Sequence, residues 1–336
     1  MMGGQAIKNT PVRRYQRAEY EQLKAEVLTQ LHTDFPARKI AAIPAYRNKE
    51  SFGDLDILFE TTDLQIELTI YLQERFLAKE IVRNSHVFSF AYQDFQIDLI
   101  GSSQEDFDIS LHYFAWNDLG NIIGRIYHKM GFKYGHDGLH FLFKADNYQF
   151  GEICLSKDIR QILAFADLDA ERFLAGFDTL EDIFQYAVST SFFNKDIYLL
   201  ENRNHASRIR DRKRPTYNAL LKWLETQTNL PSYPWANLKE QGGRQAQTVF
   251  LERAFAFFPD FKIQYLAMQQ AFEIWQTVRE KFNGRLVQTW TGLENQALGQ
   301  LMQKLKALGK AEFGDFQQWV YIQPISEIER WVRSQV

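Results

Sequence analysis

The stretch Ser51-Phe52-Gly53-Asp54-Leu55-Asp56-Ile57-Leu58 decides how this chain is read. On a strand, successive side chains alternate faces, so Asp54 and Asp56 share one face and Leu55 takes the other. Two carboxylates one strand step apart repel unless a cation sits between them. Gly53 removes side-chain bulk just before the first acid and lets a ligand approach the backbone. An Asp-x-Asp at a strand end is also a common solvated turn, so the pair alone leaves both readings open. A third acid weighs on the choice. In Phe95-Gln96-Ile97-Asp98-Leu99-Ile100 the apolar Phe95, Ile97 and Leu99 take one face, and Gln96 and Asp98 take the other. If the two strands are neighbours, three carboxylates converge. Hard oxygen ligands of this kind suit Mg²⁺. Two such ions, with Mn²⁺ as a substitute, can clamp the attacking and leaving oxygens of a phosphoryl transfer.

Outward from these strands the period of the apolar residues changes. Residues 1–14 are polar and read as a loose tail. Tyr20, Leu23, Val27 and Leu31 recur at helical spacing over 15–33, and Pro36 ends that element. Strands are expected at 39–44, 55–59, 87–92 and 95–100, with a Gln93-Asp94 turn between the last two and a helix over 64–80. Two short helices and a hairpin follow over 105–150. Beyond 156 strand signals fade. Asp178 and Glu181 suggest a capping-box start, and 226–243 reads as a linker or long loop. Residues 248–282 and 293–309 read as two more amphipathic helices. The expected fold class is α+β: a tail and helix (1–38), a small mixed or antiparallel sheet (39–105), a subdomain of two short helices and a hairpin (106–155) and an all-α C-terminal domain (156–336).

The chain has 336 residues, 45% hydrophobic and 24% charged, the balance of an ordinary globular protein. No run is apolar enough to span a membrane, and Met1–Arg14 lacks the apolar core of a secretory signal. A single cysteine, Cys154, rules out an internal disulfide, fits a cytoplasmic location and reads as a small core residue. There is no Gly-x-Ser-x-Gly elbow for serine hydrolysis and no Cys/His spacing for zinc. The net charge of −3 gives no sign of a nucleic-acid partner. It averages the acidic cluster with the basic run 202–214, which holds Arg208, Arg210, Arg212, Lys213 and Arg214. Such a run can track phosphates or can be a solvated helix face.

The segment from Ala45 to Asp56, containing Arg47, Lys49, Ser51 and Gly53-Asp54-Leu55-Asp56, resembles the palm motif of the nucleotidyltransferase superfamily, and of the family X DNA polymerases in particular. Asp98 matches the third acid of that family. Leu111-His112-Tyr113-Phe114-Ala115-Trp116-Asn117-Asp118-Leu119-Gly120-Asn121, with Arg125 beyond it, resembles the family's next conserved segment. Order and spacing agree over roughly residues 40–143. More weakly, Phe282-Asn283-Gly284, Thr291-Gly292-Leu293 and the helix from Leu298 to Leu305 resemble tail helices of CCA-adding enzymes and poly(A) polymerases. The family's Gly-Ser is replaced here by Pro44-Ala45, which removes a triphosphate contact. Ala115-Trp116 stands where the family has Thr-Gly.

The resemblance implies a nucleotidyltransferase palm with a thumb-like subdomain that transfers nucleotides to a nucleic-acid 3′ end. Asp54, Asp56 and Asp98 would be the catalytic metal ligands. Arg47, Lys49, Ser51 and Gly53 would face the triphosphate. Tyr113 and Phe114 would wall the sugar, which favours deoxynucleotides, although a pair of core aromatics has the same sequence signature. Asp118 and Asn121 would touch the base, and Arg125 would reach the template strand. DNA is the favoured partner. RNA end addition, and a binding protein that has lost activity, are the alternatives.

Overall fold

The computed structural model describes residues 6–145, 148–240 and 248–336. The fold is mixed α/β with a helical C-terminal region, and the chain divides into two compact units, 1–258 and 259–336. No described helix is long and apolar enough to cross a membrane.

The first unit opens with β1 (Tyr15–Gln16) and α1 (Arg17–Asp34). Then come β2 (Ile40–Ala42), β3 (Ser51–Phe52), β4 (Asp54–Glu60), α2 (Leu68–Arg75), β5 (Ile81–Asn84), β6 (Val87–Tyr92) and β7 (Phe95–Ser102). Five strands form one sheet in the order β2-β4-β7-β6-β5. β4 and β7 run parallel and the other neighbours antiparallel, so the sheet is mixed. Alternation gives the sheet two different faces. Leu55, Ile57 and Phe59 of β4 and Phe95, Ile97 and Leu99 of β7 are buried in one core with Tyr20, Leu23, Val27 and Leu31 of α1. The other face begins with Asp54, Asp56 and Asp98. It continues as Leu58 and Ile100, which pack on Phe107.

That Phe107 opens α3 (Phe107–Phe114), which leads into α4 (Leu119–Met130). The corner between them holds Trp116 and Asn117 with φ of +60° and +62°. Trp116 N–H donates to Pro44 O at 2.8 Å, tying this corner to the end of β2. A separate antiparallel sheet follows, of β8 (Phe132–Gly135), β9 (Gly138–Ala145) and β10 (Tyr148–Ser156) in the order β10-β9-β8. Cys154 on β10 is exposed rather than a core residue, because Ile153 takes the buried side of the strand there.

The helices α5 (Ile159–Phe165), α6 (Ala170–Ala175), α7 (Leu180–Ala187), α8 (His205–Arg212), α9 (Pro215–Thr226) and α10 (Thr248–Phe257) complete this unit. They belong with the strands, not with the tail, so the expected single helical domain over 156–336 is divided. The cap of α7 is Thr179 with Asp182, one residue beyond the expected pair. The expected linker 226–243 is a packed loop as far as residue 240. Trp235 is buried, and Lys129 Nζ donates to the carbonyls of 237, 238 and 239. Gly242 and Gly243 lie outside the described residues.

The second unit is α11 (Phe261–Lys281), α12 (Gly284–Thr291), α13 (Asn295–Phe313), α14 (Phe316–Ile322) and α15 (Ile325–Arg333), around a core of Phe282, Val287, Leu305, Val320, Ile328 and Trp331. The helix expected over 248–282 is therefore two, separated at Pro259, where a ring in place of an N–H cannot continue the ladder.

Candidate active site

The register of β4 against β7 places Asp56 directly beside Asp98 and Asp54 beside Gln96. Parallel neighbours in register present the same face, so all three acids converge. One carboxylate oxygen from each lies within 4.8 Å of the others. Burial raises Asp56 well above the usual carboxylate range, and its neighbours Asp54 and Asp98 push in the same direction. Burial likewise pushes Asp98 up to about 6, against hydrogen bonds from Ser89 and Gln96. Asp56 Oδ1 is buried with no hydrogen-bond partner among the described residues. A buried acceptor without a donor, inside a cluster of like charges, is the environment a divalent cation completes. The donor set is all oxygen, which fits Mg²⁺ or Mn²⁺ rather than a softer metal.

Asp54 and Asp56 open into a cavity of about 380 Å³. Arg14 and Lys49 supply positive charge to its wall, and Gly53 supplies bare backbone. Burial lowers the Lys49 ammonium, while Asp54 and Asp56 oppose that shift. Tyr113 and Phe114 form an aromatic wall, with ring centroids 5.3 Å apart at 71°. Asn117, Asp118 and Asn121 line the cavity from the start of α4, and Arg214, Pro215 and Thr216 from the start of α9. Asp118 Oδ1 pairs with Arg214 Nη1 at 2.6 Å, an interaction that works against the rise burial imposes on Asp118.

Lys49, Gly53, Tyr113, Phe114, Asp118, Asn121 and Arg214 thus line one cavity with Asp54 and Asp56, and Asp98 lies beside Asp56. Other expected residues lie elsewhere. Arg47 is turned away from the cavity. Its guanidinium pairs with Asp178 at 2.6 Å and donates to Ala175 O, and its backbone N–H donates to Phe177 O. Its cationic head is therefore already engaged in holding the loop. Ser51 is also displaced from the cavity wall: its Oγ accepts from Arg14 Nε and Nη2 at 3.2 and 3.0 Å.

Arg125 cannot reach a template strand. It is 4% exposed, donates to Ile197 O at 3.0 Å and pairs with Glu240 at 3.2 Å. Burial lowers it to about 10. The helices and loop of 159–240 enclose it, which the expectation of a separate helical domain did not allow for. Of the basic run, Arg214 alone contributes to the cavity wall. Arg210 pairs with the buried Asp211, while Arg210, Arg212 and Lys213 are exposed and Arg208 is half-buried.

Arg14 is the charged cavity residue that the sequence did not disclose. It sits in a polar stretch without periodicity just before β1, and its guanidinium is held by hydrogen bonds to Ser51 O and Oγ. A second acidic group, Asp137, His140 and Glu152, also converges. Lys133 Nζ already lies 2.7 Å from Asp137 and 3.0 Å from Glu152, so that group holds its own cation. No family model matches this chain, and no curated protein matches it.

Proposed function

We propose that this protein is a Mg²⁺-dependent nucleotidyltransferase that adds nucleotides, with deoxynucleotides favoured, to a nucleic-acid 3′ end. The observation that carries this reading is the in-register pairing of Asp56 with Asp98, which converges three acids beside a cavity of nucleotide size. The resemblance to family X DNA polymerases over residues 40–143 supports the choice of reaction. The second unit enters this reading only through its weak likeness to CCA-adding and poly(A) polymerase tails.

Divalent cations held by Asp54, Asp56 and Asp98 would neutralise the triphosphate and lower the pKa of the attacking hydroxyl. The chain's own residues do the rest. Arg14 and Lys49 face the β- and γ-phosphates, taking over from Arg47 and from the Ser missing at Ala45. Tyr113 and Phe114 lie against the sugar, and Asp118, Asn121 and Arg214 take the base. The 3′-oxygen bonds to the α-phosphorus, the bond from that phosphorus to the bridging oxygen breaks, and pyrophosphate leaves. The hydroxyl proton passes toward Asp98, which the resemblance places nearest the attacking oxygen. Arg210, Arg212 and Lys213 offer exposed positive charge to a nucleic-acid backbone.

The burial of Arg125 favours one variant of this reading: end addition that takes no instruction from a template, with RNA as an acceptor to be tested beside DNA. Labelled DNA and RNA primers, incubated with Mg²⁺ or Mn²⁺ and dNTPs or NTPs, with and without template, test both. Extension of DNA primers by dNTPs that is lost in the Asp54→Asn/Asp56→Asn double variant is the expected result. Incorporation of ribonucleotides alone on RNA would overturn the DNA preference. No incorporation under any condition would overturn the enzymatic reading.

A further inference from the structure

Residues 6–10 lie along the edge of the acid site as a strap. Ile7 is buried, and the backbone N–H groups of Ala6 and Ile7 donate to Gln96 Oε1 at 3.0 and 3.4 Å. Gln96 is fully buried, and its Nε2 donates to both carboxylate oxygens of Asp98, at 2.9 and 3.1 Å. The orientation of this amide is fixed by its neighbours. Turned over, its oxygen would face a carboxylate and its NH₂ would face two N–H donors. Farther along, Glu80 collects the N–H groups of Lys8, Asn9 and Thr10 at 3.1, 2.8 and 2.7 Å and pins the strap to the sheet edge.

We infer that Gln96 is a positioning residue for Asp98 and that the strap, held by Glu80, is what holds Gln96, so that a surface glutamate sets the cation affinity of the acid site. The inference rests on the reading of Asp54, Asp56 and Asp98 as a cation site. A carboxylate that ligates a metal needs its unused lone pairs occupied by fixed donors. Loss of such outer partners commonly costs 10–100-fold in metal affinity. Without the strap, Gln96 Oε1 would lose both N–H donors inside a buried site, where an unpaired carbonyl is costly. The amide would then rotate to find other partners, and Asp98 would lose the two N–H contacts that orient it.

The test is Mn²⁺ binding to the full-length, nucleotide-free protein, followed by the electron paramagnetic resonance of free Mn²⁺. Glu80→Ala is expected to weaken binding about tenfold while the protein stays folded by circular dichroism, and Gln96→Leu to weaken it at least as much. The double variant is expected to be no weaker than Gln96→Leu alone, because both changes cut the same link. Wild-type affinity in Glu80→Ala overturns the inference and leaves the acid site standing. Additive losses in the double variant also overturn it, because the strap would then act by another route. A wild-type protein that binds no Mn²⁺ overturns the site itself and the inference with it.

Discussion

Asp56 carries a conflict that the rest of the site resolves. Its carboxylate is buried beside two others, and one oxygen has no donor among the described residues. In the metal-free protein the protonated form is favoured, so Asp56 lies well above the ordinary carboxylate range and Asp98 near 6. An acid whose folded value is raised stabilises the fold at low pH, and loses that contribution as pH rises through the folded value. Metal-free protein is therefore expected to lose stability as pH rises from about 4 through 6. At pH 7.5, Mg²⁺ is expected to restore it by binding the folded state alone. Asp56→Asn is neutral at every pH, so folding no longer requires a buried carboxylate to take up a proton beside Asp54 and Asp98. The variant should melt several degrees higher than wild type without metal at pH 7.5, gain nothing from Mg²⁺, and transfer no nucleotide. Thermal scans with and without Mg²⁺ check all three, and a wild-type melting point unmoved by Mg²⁺ speaks against a cation site. A second contrast concerns the two arginines. Arg14→Ala removes a cation from the cavity wall, and a charge-assisted hydrogen bond is worth about 1.5–3 kcal/mol. The nucleotide KM should rise roughly 10–100-fold, while Arg47→Ala should leave it within about twofold. Steady-state kinetics on both variants decide which arginine meets the phosphates. The acids were legible in the sequence because alternation along a strand is a local rule. Arg14 and Arg47 were not, because their partners Ser51 and Asp178 belong to the tertiary fold.

Among elements, the corner between α3 and α4 sets the aromatic wall. Gly120 lies so close under Tyr113 that a Cβ there would meet Tyr113 O at 2.2 Å, and backbone cannot give way as a side-chain end can. Alanine ordinarily favours a helix over glycine. Here Gly120→Ala should instead destabilise by about 1–3 kcal/mol and push Tyr113 toward the cavity. The expected readout is a lower melting temperature together with a changed preference between dNTPs and NTPs. A melting temperature equal to wild type would show that the corner tolerates the methyl. The legibility of the elements follows the same division between local and distant causes. The hairpin of β6 and β7 matched its expected residues 87–92 and nearly matched 95–100, since a two-residue turn joins adjacent apolar runs. The helix expected over 64–80 shrank to α2, with Leu77 at φ +52° beyond its end. The parallel register of β4 with β7, which brings Asp56 to Asp98, is a long-range pairing that no local periodicity encodes.

For the whole molecule, the division at Pro259 rather than near 156 comes from buried polar groups of α4. Arg125 and Lys129 take their partners from Ile197, Glu240 and the carbonyls of 237–239, so the chain up to residue 240 closes over α4, and Arg253 ties α10 to Phe165 O and Asp167. An amphipathic pattern announces helices but not which core they join, and the boundary was illegible for that reason. The second unit has a core of its own, and its sensitive point is the approach of α13 to α14. A Cβ at Gly309 would lie 2.1 Å from the Phe316 ring, itself packed on Phe282 with centroids 5.1 Å apart. Gly309→Ala is therefore expected to destabilise the second unit by about 1–3 kcal/mol, although alanine is the better helix former. If the two compact units unfold as separate cores, the change lowers one calorimetric transition and leaves Mn²⁺ binding by the first unit at its wild-type value. Protease sensitivity should rise within 259–336 and not within 6–240. A loss of Mn²⁺ affinity in this variant would show instead that the helical tail supports the acid site, and that the two cores fold as one.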